Sequence, residues 1–436
     1  MEQKKILIIT YYWPPAGGPG VQRWLKFAKY LPESGWNPVI YTPENPSYPL
    51  IDESLLKDVP KNIEIIKTKI WEPYQLAEKL NKSNKKFKAG QFDVGKNQSW
   101  KSKLSIWIRG NFFIPDARVF WVKPSVKFLE QYVKENKIDV VVTSGPPHSL
   151  HMIGLGLKHK FPVLKWIADF RDPWTEISYY QHLKLTKRSD RKHRQLESAV
   201  FKNADITLAT SYTDAENFRK AGANAVCITN GFDESDAAAP QAITKDNLTR
   251  QNTESFTLSY IGVLEQLRNP ENLWKILDEL VQENTGFAAH FTLKFAGRVD
   301  DKILGSIESS NLRNHILNLG YISHDKAVEE MANSNLLLIT NFPNASSRGI
   351  IPGKIFEYLA TGKQIISFGP EQADVARILD ETGAGKHFNY QEASLVKDFI
   401  LEKYELWKRG NLLENTQNIE QFSRRNLTKK LAEILG

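Results

Sequence analysis

Asp139-Val-Val-Val-Thr143 carries three valines in a row, with no alternation of apolar and polar residues. A strand exposed on one face alternates, whereas a strand covered on both faces reads as an unbroken apolar run. Similar β-rich runs lie outward from it at 6–10, 39–41, 63–67, 164–168, 206–209 and 226–229. Helix-like stretches fall between several of them, at 21–31, 123–136, 150–160, 191–202 and 213–221. A strand–helix series of this kind predicts an α/β fold built on a doubly wound parallel sheet.

The pattern breaks at 234–255, a stretch rich in Ala, Asn, Gln and Thr without periodicity, which reads as a linker. A second α/β series follows, with strands expected at 257–261, 291–295, 316–319, 336–339 and 364–367. Helices are expected at 270–283, 324–333, 353–361, 371–380 and 392–408, and a last one at 418–435. The expected organisation is therefore two Rossmann-like domains, 1–233 and 256–415, facing a cleft, with a C-terminal helical segment 416–436. Ligands of such sheets bind beyond the carboxyl ends of the strands.

The chain has 436 residues, enough for two or three domains. With 41% hydrophobic and 25% charged residues, its composition is that of a folded globular protein rather than a disordered one. The single cysteine, Cys227, excludes a disulfide framework and a cysteine-held metal cluster. No run approaches the ~18 uncharged apolar residues of a membrane span. The apolar run at the N-terminus, Ile6 to Ile9, is too short for a secretory signal. The expectation is a soluble, cytoplasmic protein.

The net charge of +8 is unevenly placed. Between Lys79 and Lys103 stand eight lysines and one acid, Asp93, within an expected basic and aromatic insertion over 79–121. Trp100, Trp107, Phe112 and Phe113 follow closely. Lysines beside exposed aromatics can hold an anionic bilayer surface, can hold nucleic acid, or can form a solvated loop.

Five segments carry candidate chemistry. Tyr11-Tyr-Trp-Pro-Pro-Ala-Gly-Gly-Pro-Gly20 follows the first strand and precedes a helix. Gly17, Gly18 and Gly20 allow close backbone approach to a ligand, and the helix start offers N–H groups to an anion. Arg23 stands at the third glycine position of a dinucleotide fingerprint, which weighs against a tight nicotinamide-type turn. Arg268 stands just after a strand and before a helix, where phosphate meets both guanidinium and dipole. Pro352-Gly-Lys-Ile-Phe-Glu-Tyr-Leu-Ala-Thr-Gly362 brackets one short helix. Its Lys354 could meet phosphate, and Glu357, on the same face, could accept two hydrogen bonds from a sugar diol; the bland alternative is a surface ion pair. Trp166-Ile-Ala-Asp-Phe-Arg-Asp-Pro-Trp174 places Asp169, Arg171 and Asp172 just past an apolar strand. There they could act on a hydroxyl-rich substrate or form a salt-bridge knot. Gly145-Pro-Pro-His-Ser-Leu-His151 offers His148 as a polar contact and His151 for helix packing, and no third metal ligand accompanies them. The Gly-x4-Gly-Lys-Ser/Thr, His-Glu-x-x-His, Gly-x-Ser-x-Gly and Asp-x-Asp signatures are missing, so no metal site is expected.

Taken in order, these segments resemble the GT-B glycosyltransferases of family four, the large bacterial retaining group. The resemblance spans nearly the whole chain. It rests on the Tyr-Tyr-Trp-Pro-Pro loop with its glycines, Asp-Phe-Arg-Asp-Pro-Trp, Asn230-Gly-Phe-Asp233, Gly262…Arg268-Asn-Pro, Phe295-Ala-Gly-Arg298, Leu319-Gly-Tyr-Ile-Ser323 and Lys354…Glu357-Tyr-Leu-Ala-Thr-Gly362. It is most similar to a subgroup from polysaccharide or cell-surface glycan pathways.

The resemblance implies transfer of a sugar from a nucleotide-diphosphate sugar to a glycan or lipid-linked acceptor, with retention and without a metal or other cofactor. Gly17, Gly18 and Gly20 would contact the donor diphosphate, as would Arg268 and Lys354. Glu357 matches the second glutamate of the family's Glu-x7-Glu pair and would hold the ribose. Gly349 occupies the place of the first glutamate, at the donor sugar, and Val263 the place of a second phosphate-binding arginine. Arg298 and Ile322 would lie near the base. Arg171 falls about where many relatives have a histidine near the reacting sugar, and Asp172 is the candidate for positioning the acceptor. His148 and Asp169 would complete the acceptor side. The last helix would cross back onto the first domain. Expected partners are the nucleotide sugar, the acceptor and an anionic membrane surface through 79–113, at the inner face of the cytoplasmic membrane, and not nucleic acid. A sugar-nucleotide-binding partner subunit without turnover is the alternative that Gly349 and Val263 leave open.

Overall fold

The computed structural model describes residues 4–73, 100–177, 180–234, 254–412 and 416–436. Most of the lysine-rich segment 79–103 and of the expected linker 234–255 lies outside the described residues. The chain divides into two units, Met1–Thr229 with Leu427–Gly436, and Asn230–Asn426.

The first unit holds strands β1 (Lys4–Thr10), β2 (Trp36–Pro43), β3 (Glu64–Thr68), β4 (Val140–Gly145), β5 (Lys165–Phe170), β6 (Ile206–Ala209) and β7 (Ala225–Cys227). They form one parallel sheet in the order β3-β2-β1-β4-β5-β6-β7. The valine run shows why it lacks alternation. Val141 packs with Leu7 and Ile9 on one face, while Val140 and Val142 pack with Ile6 and Ile8 on the other. Helices α1 (Pro19–Tyr30), α2 (Trp100–Phe112), α3 (Val119–Asn136), α4 (Ser149–Lys160), α5 (Lys187–Asn203) and α6 (Tyr212–Lys220) accompany the sheet. Val21, Trp24, Leu25 and Ala28 of α1 join the Ile6–Ile8 side, and Leu150, Ile153 and Leu157 of α4 join the other. Each such fully buried aliphatic side chain contributes about 1.5–3 kcal/mol of burial free energy.

The second unit holds β8 (Phe256–Ile261), β9 (Phe291–Ala296), β10 (Ile316–Asn318), β11 (Leu336–Thr340), β12 (Gln364–Phe368) and β13 (Gly385–Phe388), parallel in the order β10-β9-β8-β11-β12-β13. Its helices are α7 (Glu271–Glu283), α8 (Thr285–His290), α9 (Asp301–Glu308), α10 (His324–Ala332), α11 (Lys354–Ala360), α12 (Asp374–Thr382) and α13 (Ala393–Lys408). A last helix, α14 (Arg424–Leu435), starts in the second unit and ends in the first. Leu427, Leu431 and Leu435, one face of α14, join the cluster around Ile6 and Ile8. Lys165 Nζ donates to the carbonyls of Ile434 (2.6 Å) and Leu435 (3.0 Å), satisfying acceptors at the helix end.

Four elements escaped the sequence reading. The strand β13, Gly-Lys-His-Phe, is an edge strand without an apolar run. The helices α8 and α9 have only six and eight residues, too short for a clear period. On α2, Leu104, Trp107, Ile108 and Phe112 are exposed rather than turned into a core.

Candidate functional site

In the second unit the chain leaves β8 towards β9 on one side, while β11 pairs with β8 on the other. A crevice beyond the carboxyl ends of those two strands is where such sheets take ligands. Lys354, the first residue of α11, reaches into this region. Its Nζ donates to the Ile261 carbonyl at 3.0 Å and lies 4.2 Å from the centroid of the Tyr260 ring. Gly262 makes this possible. Its φ is +130°, and a Cβ there would stand 3.0 Å from the Lys354 Nζ.

Arg268 follows in the turn after β8. Its Nη2 donates to the Val263 carbonyl at 2.9 Å, and its guanidinium lies 5.8 Å from the Phe342 ring centroid. The Nε of Arg268 is buried without a hydrogen-bond partner, and so is the Nε of Arg348 in the loop before α11. Phosphate oxygens are acceptors that suit such guanidinium donors. Burial, and then the charge of Arg268, push the Lys354 ammonium down to about 7, with Glu357 opposing them. A group held there gains its full charge when an anion arrives.

Glu357 is exposed one turn along α11. Gly349 lies in the loop that leads from β11 to α11. Arg298, exposed, follows β9, and the half-buried Ile322 follows β10, further out along the same edge of the sheet. All the donor-side residues expected in this half of the sequence therefore stand beyond the carboxyl ends of β8, β9, β10 and β11. Val263 carries its side chain at the surface, 47% exposed.

In the first unit the sheet order reverses between β1 and β4. The loops that leave these two strands are tied by Arg171. Its Nη1 donates to the Gly20 carbonyl at 2.9 Å, its Nη2 donates to the Pro146 carbonyl, and its guanidinium lies 5.5 Å from the Tyr12 ring centroid. A Cβ on Gly20 would fall 2.5 Å from Arg171 Nη1, so a larger residue there would displace the guanidinium. Gly17 is tied back by its N–H to the Leu50 carbonyl at 2.9 Å, and Gly18 caps α1. Arg171, expected at a reacting sugar, is half-buried and bridges the two loops. Its cation is drawn to backbone carbonyls because two loop ends converge on it.

Asp169 also departs from expectation. It is fully buried, paired with Arg23 at 3.0 Å, and accepts from Trp24 Nε1 at 2.7 Å and Ser144 Oγ at 2.9 Å. Arg23 in turn donates to the Thr229 carbonyl at 3.0 Å. Asp169 is thus a structural anchor of strand ends, not an acceptor contact. The arginine at the third glycine position of the loop is its counterion.

A cavity of about 230 Å³ opens beside these loops, lined by Tyr12, Asp116, His148, Asp172, Trp174 and His193 among others. His148 is buried and stacks on Trp174, with ring centroids 4.8 Å apart and planes within 3°. Burial, with the nearby His151, Arg171 and His193, holds the His148 imidazole well below its usual range, so it is neutral at physiological pH. Trp174 Nε1 donates to His193 Nδ1 at 3.1 Å. The His193 proton therefore sits on Nε2, facing the Gly110 carbonyl at 3.3 Å. Asp116 accepts from the Ser149 N–H and hydroxyl, both at 2.9 Å, at the start of α4. Beneath the cavity, Arg118 pairs with the buried Glu72 at 2.9 Å. An aromatic platform with a neutral imidazole and a carboxylate at the surface, Asp172, suits a hydroxyl-rich ring.

Sequence reasoning missed Tyr12, His193, Arg118 with Glu72, and Arg348. Trp174 stood inside a quoted segment, and an aromatic after a carboxylate-rich strand end was the available signal. Among the described residues, no group of three or more His, Cys, Asp or Glu side chains is placed to hold a metal ion.

No protein-family model matches the chain, and no curated protein matches it in sequence. Solved structures do match its fold. HepE of Anabaena in complex with UDP is 14% identical over 99% of both chains, with a TM-score of 0.59. TarM of S. aureus is 12% identical over 99% of both chains, with a TM-score of 0.58. Sucrose-phosphate synthase of Thermosynechococcus elongatus is 14% identical over 99% of this chain and 98% of that one, with a TM-score of 0.55. These neighbours are GT-B glycosyltransferases, and the chain has their fold, two α/β domains built on parallel sheets of seven and six strands.

Proposed function

We propose that this protein transfers a glycosyl group from a nucleotide-diphosphate sugar to a glycan or lipid-linked acceptor in cell-surface polysaccharide synthesis, as a family-four GT-B enzyme. The observation that carries the reading is that Lys354 and Arg268 stand beyond β8 and β11 near enough to repel each other, so that a diphosphate suits both the lysine and the buried guanidinium nitrogen. The fold neighbours add support: one is described in complex with UDP-glucose and another with UDP and an α-GlcNAc-glycerol.

In this reading Arg268 and Lys354 offset the charge that develops on the departing diphosphate. Glu357 holds the ribose, Arg298 and Ile322 flank the base, and Gly349 leaves room at the donor sugar. The backbone at Gly18 and Gly20, at the start of α1, meets the diphosphate, and Gly17, tied to Leu50, shapes the loop. The acceptor ring rests on the platform of His148 and Trp174, with Asp172 orienting its hydroxyl. The bond from the anomeric carbon to the phosphate oxygen breaks, and a bond to the acceptor oxygen forms on the same face, with retention. The acceptor proton passes to the departing phosphate oxygen, so no metal and no separate base is needed. The protein works in the cytoplasm, at the inner face of the membrane, and touches anionic lipid through 79–113.

Nucleoside diphosphate release from a panel of donors, with and without a chelator, tests the reading. Turnover that survives the chelator and falls at least a hundredfold in Lys354→Met supports it. A non-catalytic subunit is the second reading, favoured by the exposed Val263 where the resemblance implies an arginine. Donor binding without release across acceptors decides for it.

A further inference from the structure

We infer that α2 and α5 together form a docking face for a bilayer that carries anionic lipid headgroups. The apolar half of this face is α2. Leu104, Trp107, Ile108 and Phe112 recur at helical spacing on one side of it, and Phe112 is 68% exposed. Four large apolar side chains on one helix face are an unusual thing to leave in water.

The basic half is α5. Its sequence is Lys-Arg-Ser-Asp-Arg-Lys-His-Arg at the start, and Lys187, Arg188, Arg191, Lys192 and Arg194 are all exposed. Lys187 and Arg188 open the helix, at the positive end of its dipole, where cations are disfavoured. An external anion reverses that cost. A surface groove runs along this helix, lined by Lys187, Asp190, Arg191, Arg194 and Lys202 among others; Arg194 is paired with Glu176 at 3.0 Å and Asp190 at 3.3 Å, which leaves Lys187, Arg188, Arg191 and Lys192 as the cations offered to headgroups.

The two halves are tied. The Thr186 N–H donates to Asn111 Oδ1 at 2.8 Å, Asn111 Nδ2 donates to the Lys184 carbonyl at 3.4 Å, and His193 Nε2 faces the Gly110 carbonyl at 3.3 Å. A Cβ on Gly110 would fall 2.6 Å from a Leu185 methyl, so the helix is seated closely. With 13 residues α2 can lie in an interface but not cross a membrane, and no described helix is long and apolar enough to cross one. A soluble polyanion would engage the cations of α5 but has no use for Leu104, Ile108 and Phe112. A bilayer engages both, with basic residues at the headgroups and apolar ones at the acyl boundary.

Arg109 and Gly110 of α2 and His193 of α5 also line the 230 Å³ cavity. Docking through this face brings the cavity to the lipid–water boundary, which fits an acceptor carried on a lipid. That last step rests on the proposed glycosyl transfer; the docking itself does not.

The test is co-sedimentation of the full chain with phosphatidylcholine vesicles, with and without phosphatidylglycerol. The wild type sediments with the anionic vesicles and is released by high salt. Each basic residue at such a surface contributes about fivefold in partitioning, so Arg188→Gln/Arg191→Gln/Lys192→Gln loses roughly a hundredfold. Trp107→Ser/Phe112→Ser loses about tenfold or more, through lost apolar burial. Unchanged circular dichroism shows that both variants are folded. Equal sedimentation of the basic triple variant and the wild type overturns the inference and assigns any docking to the lysine run. Full binding by Trp107→Ser/Phe112→Ser, together with retention on heparin, assigns a polyanion site and also overturns it. Vesicle binding without donor turnover keeps the docking face and removes the glycosyl reading.

Discussion

Replacing Lys354 with methionine separates stability from function. The ordinary lysine value is 10.5, and burial beside Arg268 takes Lys354 down to about 7. At about 1.4 kcal/mol per pH unit, that gap corresponds to roughly 5 kcal/mol of native-state cost at pH values below 7. The sign follows from proton counting. Between pH 7 and 10.5 the unfolded chain holds a proton that the native chain lacks, so wild-type stability rises as pH climbs through this window. Below pH 7 both states are protonated and the cost is fully present. Methionine keeps most of the volume and removes the charge. It also removes the hydrogen bond to Ile261 and the contact with the Tyr260 ring, each worth about 1 kcal/mol. The expected net effect is a variant more stable by roughly 3 kcal/mol at pH 6, an advantage that fades by pH 10. Urea unfolding of the full chain at pH 6, 8 and 10 reads it. Binding adds a second readout: at pH 8, a nucleoside diphosphate should draw in close to one proton, seen by calorimetry in buffers of different ionisation heat. Parallel wild-type and Lys354→Met stability curves, or a variant less stable at pH 6, would refute the reasoning.

Other perturbations test the neighbouring parts. His151 is fully buried and held at about 3 by burial, with Thr143 Oγ1 on its Nδ1 at 2.9 Å. Its neutral form is native, so stability falls as pH drops from 6.5 towards 3, by about 1.4 kcal/mol per pH unit at most; His151→Asn should flatten that slope in urea titrations. Asp169→Asn leaves Arg23 buried without its counterion and should cost about 3–5 kcal/mol in chemical denaturation, whatever substrate is present. Gly262→Ala forces a side chain into φ +130° against Lys354 Nζ, and should raise the donor KM at least tenfold while far-ultraviolet circular dichroism stays unchanged.

Much of the fold was legible because parallel sheets covered on both faces leave a plain mark. The runs Val140–Val142 and Leu336–Ile339 are apolar at successive residues, and with their short length and turn signals on either side they read as strands covered on both faces. The bracketing of α11 by Pro352 and Gly362 was equally local. Edge strand β13 and the short helices left no such mark, since little of their surface has to be apolar.

Sequence alone determined the two α/β series, the placing of Arg268 just past a strand end and the placing of Lys354 and Glu357 on one short helix, because strand direction, loop position and helix brackets follow from local pattern. Only tertiary structure decided what each charged group does. Asp169 and Asp172 are three residues apart in the chain, yet one is sealed against Arg23 and the other meets solvent. Burial and partnership are set by residues distant in sequence, Arg23 lying 146 positions from Asp169, and no local spacing encodes them.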